Sequence, residues 1–174
     1  MDDLSTVLGP ETVALVAVTL GFRLAGALGA RRFRDWALCA AYGMAAMLVL
    51  TASAHFVPES VTTMPNHGDL TRMVPTFIPF PGAMVYLTGV LELLGAVGLV
   101  LAGTRRAAGF CLAALFVVML PANIHAALSD VPLAGDPPTP LWVRIPQQVL
   151  YIAIALWAAR SATASPRPQE ALSR

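Results

Sequence analysis

The chain has 174 residues, of which 57% are hydrophobic and 12% charged, with a net charge of +1 at pH 7 and a mean hydropathy of +0.70. Soluble domains carry about 25% charged residues, so the composition excludes one and describes an integral membrane protein made mostly of spans. A balance this close to neutral also excludes nucleic acid as a partner, because that needs a basic face.

Five apolar segments follow one another, and each has close to the ~20 residues that a helix needs to cross a bilayer. They run over Val7 to Ala30, Trp36 to His55, Gly82 to Ala102, Ala107 to Leu128 and Leu141 to Ala159. Backbone groups in hydrocarbon must be satisfied within the segment, so helices are expected. The first segment begins with Met1-Asp2-Asp3 and ends on a basic cluster. That polarity is the reverse of a signal peptide, and a retained helix is expected.

Arg31, Arg32 and Arg34 fill the first link, Arg105 and Arg106 the third, and Arg160, Arg167 and Arg174 follow the fifth segment. Asp2, Asp3, Glu59, Asp69, Asp130 and Asp136 lie on the other side, with Arg72 as its one basic loop residue. The positive-inside rule then places the N-terminus outside and the C-terminus in the cytoplasm, in a bacterial cytoplasmic (inner) membrane. Arg23 lies near the basic cluster and is expected to snorkel to that interface. The two short inner links fold the flanking spans into antiparallel hairpins.

The outer segment 56–81 contains Pro58, Pro65, Pro75, Pro79 and Pro81 among apolar residues. Prolines at that density prevent a long helix, which predicts an ordered interfacial segment capping the bundle. The tail 161–174 has no apolar period and is expected to be disordered.

Glu92 stands out because it sits in an otherwise uncharged span, about 15 Å from the outer end at 1.5 Å per residue. A carboxylate there is costly unless neutralised, paired or wetted. Arg144, Gln147, Gln148 and Tyr151 share offsets of three, four and seven on the fifth span. Asn123 and His125 end the fourth span and His55 ends the second, so the polar groups gather in the outer half. The candidate ligand-binding set is Glu92, His55, Asn123, Arg144, Gln147 and Gln148.

Each member has a structural reading beside the functional one. Glu92 is either a site or a neutralised or paired packing residue. Arg144 either snorkels or pairs with Glu92, Asn123 or His55, and Asn123 either meets a ligand or satisfies carbonyls freed by Pro121. Of the adjacent Gln147 and Gln148, only one is expected to face fully inward, with the other bonding a neighbouring helix. His125 is expected at the interface, and Tyr86, Trp142 and Tyr151 as belt or packing aromatics. Cys39 and Cys111 form no C-x-x-C pair, and neither a catalytic set nor a metal-ligand spacing is legible.

The runs His55-Phe56, Met73-Val74-Pro75-x-x-x-Pro79, Leu87-Thr88-Gly89-Val90-Leu91-Glu92-Leu93-Leu94-Gly95, Pro121-Ala122-Asn123-Ile124 and Leu141-Trp142-Val143-Arg144-Ile145-Pro146-x-Gln148 occur in that order. Together they resemble the DoxX family of small membrane proteins, which includes the NACHO and MauE branches. The resemblance implies an all-α membrane protein, a DoxX-like four-helix bundle over 36–160. Residues 1–35 form an additional N-terminal transmembrane helix and its basic link. It also places His55, Glu92, Asn123, Arg144 and Gln148 on family pattern positions.

These readings lead to an accessory or assembly protein without catalytic activity of its own, whose outer polar pocket takes partner helices or a lipid-like ligand. A membrane-protein partner or a homo-oligomer is expected. The alternative is a redox-linked subunit that binds a quinone head group near Glu92 and His55, where side chains can bond its carbonyls. A proton or solute pathway through Glu92 ranks last, because the cytoplasmic halves of the spans are dry.

Overall fold

A computed structural model of the protein describes residues 4–161. The expected disordered tail therefore falls, apart from Ser161, outside the described residues. Among the described residues there are six α-helices and no strand: α1 (Leu4–Ala27), α2 (Trp36–Ala54), α3 (His67–Met73), α4 (Pro81–Val100), α5 (Arg105–Leu128) and α6 (Leu141–Ser161). All but α3 are long and apolar enough to cross a bilayer, so the protein is a multi-pass helical membrane protein. The five spans sit within a few residues of the segments read from the sequence.

Helix α2 is the hub. It packs against α1, α4 and α6, while α4 packs on α5 and α5 on α6, so α2, α4, α5 and α6 close into a ring. Of the most apolar stretch of α2, 61% is buried, against 17% for α1, which lies outside the ring against α2. The ring encloses Met44, Met47 and Leu48 from α2, Leu99 from α4, Leu112 and Phe116 from α5, and Tyr151 from α6. In lipid no hydrophobic force drives helices together, so close approach through small residues has to supply the attraction. Gly109 shows this, since a Cβ there would lie 2.5 Å from the Ala155 carbonyl oxygen of α6.

Side chains close several of the helix ends, though not the starts of α4 and α5. Gly9, at φ +71°, breaks α1 just before Pro10, and the span proper starts there. Asp35 caps α2 by accepting from the Ala37 N–H at 2.7 Å, and a 3-10 turn over Arg31–Arg34 fills the link before it. Arg105 reaches back to the last turn of α4, donating to the carbonyls of Leu99 (2.7 Å) and Val100 (3.0 Å). Arg23 is folded onto this same link. It donates to the Phe33 carbonyl at 3.3 Å and stacks over Trp36, with the guanidinium carbon 4.7 Å from the ring.

The proline-rich segment carries the short helix α3, where Asn66 and Asp69 form a reciprocal capping box. Asp69 is buried, pairs with Arg72, and accepts from the Ala134 N–H at 2.9 Å. One carboxylate thereby fastens the α2–α4 connection to the α5–α6 connection. Helix α3 rests against the neighbouring ends of α4 and α5.

Candidate functional site

The site forms because α2 and α4 run antiparallel and place two polar pairs opposite each other. Thr51 and His55 are one turn apart on α2, and Thr88 and Glu92 are one turn apart on α4. The Thr51 hydroxyl donates to Glu92 Oε2 at 2.7 Å, and His55 Nε2 lies 3.7 Å from Glu92 Oε1. Glu92 is only 3% exposed and His55 5%, whereas Thr51 is half-buried at the edge of the seam. Gly89 makes this approach possible, because a Cβ at that position would sit 2.6 Å from the Cβ of His55.

The tautomer follows from the second ring nitrogen. His55 Nδ1 lies 2.6 Å from the Val85 carbonyl oxygen, and a carbonyl only accepts, so Nδ1 carries a proton. Nε2 is then the nitrogen that faces Glu92. Two arrangements leave the pair without net charge: a neutral imidazole with a protonated carboxyl, or an imidazolium with a carboxylate. They differ by one proton moved between Nε2 and Oε1. The His55 carbonyl also lies 3.0 Å from His67 Nδ1, whose ring stacks on Tyr86 at 4.0 Å.

A second polar group gathers around α6. Arg144 donates through Nε (3.2 Å) and Nη2 (2.9 Å) to Asn123 Oδ1 on α5, and its Nη1 lies 3.7 Å from Glu11 Oε1 on α1. Gln148 donates to the Phe116 carbonyl of α5 at 2.7 Å. Gln147 donates to Thr12 of α1 at 3.1 Å, and Thr12 bonds the Tyr151 hydroxyl at 2.5 Å. A cleft of about 10 Å³ opens beside Asn123 and Arg144, bounded by Met73, Ala126 and Thr139. It has room for about one water.

The six candidates thus lie in one half of the bundle, with Glu92 near mid-span, but divide between two seams. Glu92 and His55 meet between α2 and α4, while Asn123, Arg144, Gln147 and Gln148 join α6 to α5 and α1. Of the partners anticipated for Arg144, the structure supplies Asn123, and it adds Glu11. Gln147 and Gln148 are both buried: Gln148 bonds α5 within the ring, and Gln147 bonds the neighbouring helix α1 outside it. Successive helical residues point about 100° apart, and α6 has a neighbour in both directions. His125 is half-buried, with Nδ1 3.1 Å from the Met73 carbonyl, and ties α5 to the end of α3.

Thr51, Glu11 and Thr12 belong to these groups and were not among the sequence candidates. Thr51 had a signal: it precedes His55 by four residues, as Thr88 precedes Glu92. Among the described residues no three His, Cys, Asp or Glu side chains are grouped to hold a metal ion. Cys39 and Cys111 are both free thiols.

Five spans, a closed ring of four helices and two internally bonded polar seams in one half of the bundle define a small multi-pass membrane protein with one polar half. The chain belongs to the family described as a domain of unknown function, DUF8561, which it matches over residues 44–159. The matched region starts within α2 and ends within α6, and so takes in the ring and leaves α1 outside. No curated protein and no solved structure matches the chain.

Proposed function

We propose that the chain is a DoxX-like accessory or assembly protein of the bacterial cytoplasmic membrane that engages partner helices or a lipid-like molecule at the pole around Glu92. The observation that carries this reading is the position of Thr51. It is half-buried at the edge of the α2/α4 seam and holds Glu92 Oε2, while the Leu48 carbonyl lies 3.2 Å away as a second acceptor for its hydroxyl. An incoming hydroxyl or amide can therefore replace Thr51 at Glu92 without leaving Thr51 unsatisfied. Leu50 beside Thr51 and Leu91 beside Glu92 are both exposed and give the edge apolar flanks.

The arginine-rich links at the opposite pole support an N-terminus outside and a C-terminus inside. With Cys111→Ala, a cysteine at Ser129 is then labelled by an impermeant maleimide in intact cells, and one at Gly103 only after permeabilisation. The ring of α2, α4, α5 and α6, together with the order of the motifs on it, supports the DoxX-like reading.

A photocrosslinking residue at Leu91 in native membranes tests the function. A discrete adduct is expected in the wild type, retained with Glu92→Gln and lost with Glu92→Leu. An adduct indifferent to Glu92→Leu sinks the reading. A quinone that co-purifies in stoichiometric amount, and is lost with Glu92→Leu, favours the redox-linked subunit instead.

A further inference from the structure

At the opposite pole α1 and α6 part company. Near Thr12 they are tied by the Gln147–Thr12–Tyr151 chain, but further along α1 follows α2 and has little contact with α6. The wedge that opens is a groove of about 530 Å³, lined by Leu15, Leu20, Trp36, Ala40, Ala153 and Trp157 among others. It runs about 10 Å along α6 from Leu150 to Trp157 at 1.5 Å per residue. Ala40 and Ala153 are small and leave its floor open, and Trp36 and Trp157 stand half exposed on its walls.

The mouth is basic. Arg23 stacks on Trp36, Arg34 is exposed two residues before Trp36, and Arg160 is exposed one turn beyond Trp157. Asp35, beside Arg34 in the chain, is engaged in capping α2.

An apolar slot with one guanidinium stacked on its wall tryptophan, and two exposed arginines a few residues from its lining in the chain, is complementary to one kind of molecule abundant in a membrane. We infer that this groove binds an anionic phospholipid, with an acyl chain lying against Ala40 and Ala153 and the phosphate under Arg34 and Arg160. Basic pockets between transmembrane helices select anionic head groups in this way. The site is separate from the Glu92 pole and does not depend on the function proposed for it.

Trp36 and Trp157 report on the groove, while Trp142, at the other pole, does not. The test uses the full chain with Trp142→Phe in phosphatidylcholine bilayers that contain a minor fraction of brominated phosphatidylglycerol or, separately, brominated phosphatidylcholine. Tryptophan quenching should show a preference for the anionic lipid of about fivefold or more, the contribution of one arginine at an anionic surface. Ala153→Phe, which fills the groove from an exposed position, should remove the preference. Arg34→Gln with Arg160→Gln should reduce it toward unity while leaving the groove open. Equal quenching by the two lipids in the wild-type background overturns the proposal, as does a preference that survives both Ala153→Phe and the arginine pair. If Ala153→Phe fails to fold, the arginine pair decides alone.

Discussion

Thr51 and Glu92 meet at 2.7 Å across two antiparallel helices, forty-one positions apart in the chain, with His55 3.7 Å from the other carboxyl oxygen. The carboxyl is therefore held from both sides by α2, the helix that also touches α1 and α6. A disturbance at Glu92 acts first on the hub of the bundle.

Replacement of Glu92 should separate shape from polarity. Glu92→Gln keeps an oxygen for the Thr51 hydroxyl and presents an amide that donates to unprotonated His55 Nε2. The expected loss in thermal unfolding in detergent is under about 1 kcal/mol. Glu92→Leu leaves His55 Nε2 buried without its partner and should lose about 1–3 kcal/mol. A Leu variant as stable as the Gln variant would show that the carboxyl does no more than fill space.

Gly89 and Gly21 make a matched pair. A Cβ at Gly89 meets the His55 side chain at 2.6 Å, while a Cβ at Gly21 has nothing within 4 Å. Gly89→Ala should therefore push α2 from α4 and destabilise by about 1–3 kcal/mol, the range for overpacking. Gly21→Ala should stabilise by up to about 1 kcal/mol through helix propensity alone. Circular dichroism melts of the two variants, side by side, check the contrast in sign.

The sequence made the spans legible because membrane helices are set by length and hydropathy, and Glu92 and Arg144 stood out against that apolar background. Which polar residue bonds which was not legible. Arg144 had Glu92, Asn123 and His55 as open partners, and it bonds Asn123 and pairs with Glu11. The choice depends on how α6 is rotated between α1 and α5, and uniformly apolar faces carry no strong periodic signal for that rotation. Helix α3 was missed for a different reason. Proline density gave a sound argument against a long helix, but His67–Met73 is a proline-free stretch short enough to escape it, announced by the Asn66–Asp69 capping box.

The two contacts of Arg144 should differ in strength. Its forked donation to Asn123 Oδ1 is within hydrogen-bond distance, whereas Glu11 is 3.7 Å away. A double-mutant cycle of Arg144→Gln with Asn123→Ala should give a coupling of about 0.6–2 kcal/mol, the range for hydrogen bonds between transmembrane helices. The cycle with Glu11→Gln should give under about 1 kcal/mol. A larger coupling to Glu11 would make the ion pair, and not the amide, the anchor of α6.

Thr12 and Tyr151 fix α1 to the ring. Their hydroxyls lie 2.5 Å apart, both residues are buried, and α1 has few other contacts with α6. Thr12 is the shared member of this chain, since it also accepts from Gln147. Tyr151→Phe should lose about 1 kcal/mol, because Thr12 keeps the Gln147 amide. Thr12→Val should lose about 1–3 kcal/mol, because the Tyr151 hydroxyl and the Gln147 amide are both left without it. The double variant should fall short of the sum, since the Tyr151–Thr12 bond can be lost only once. Thermal unfolding of the four proteins measures this, and strictly additive losses would mean that the two hydroxyls are neighbours without being partners.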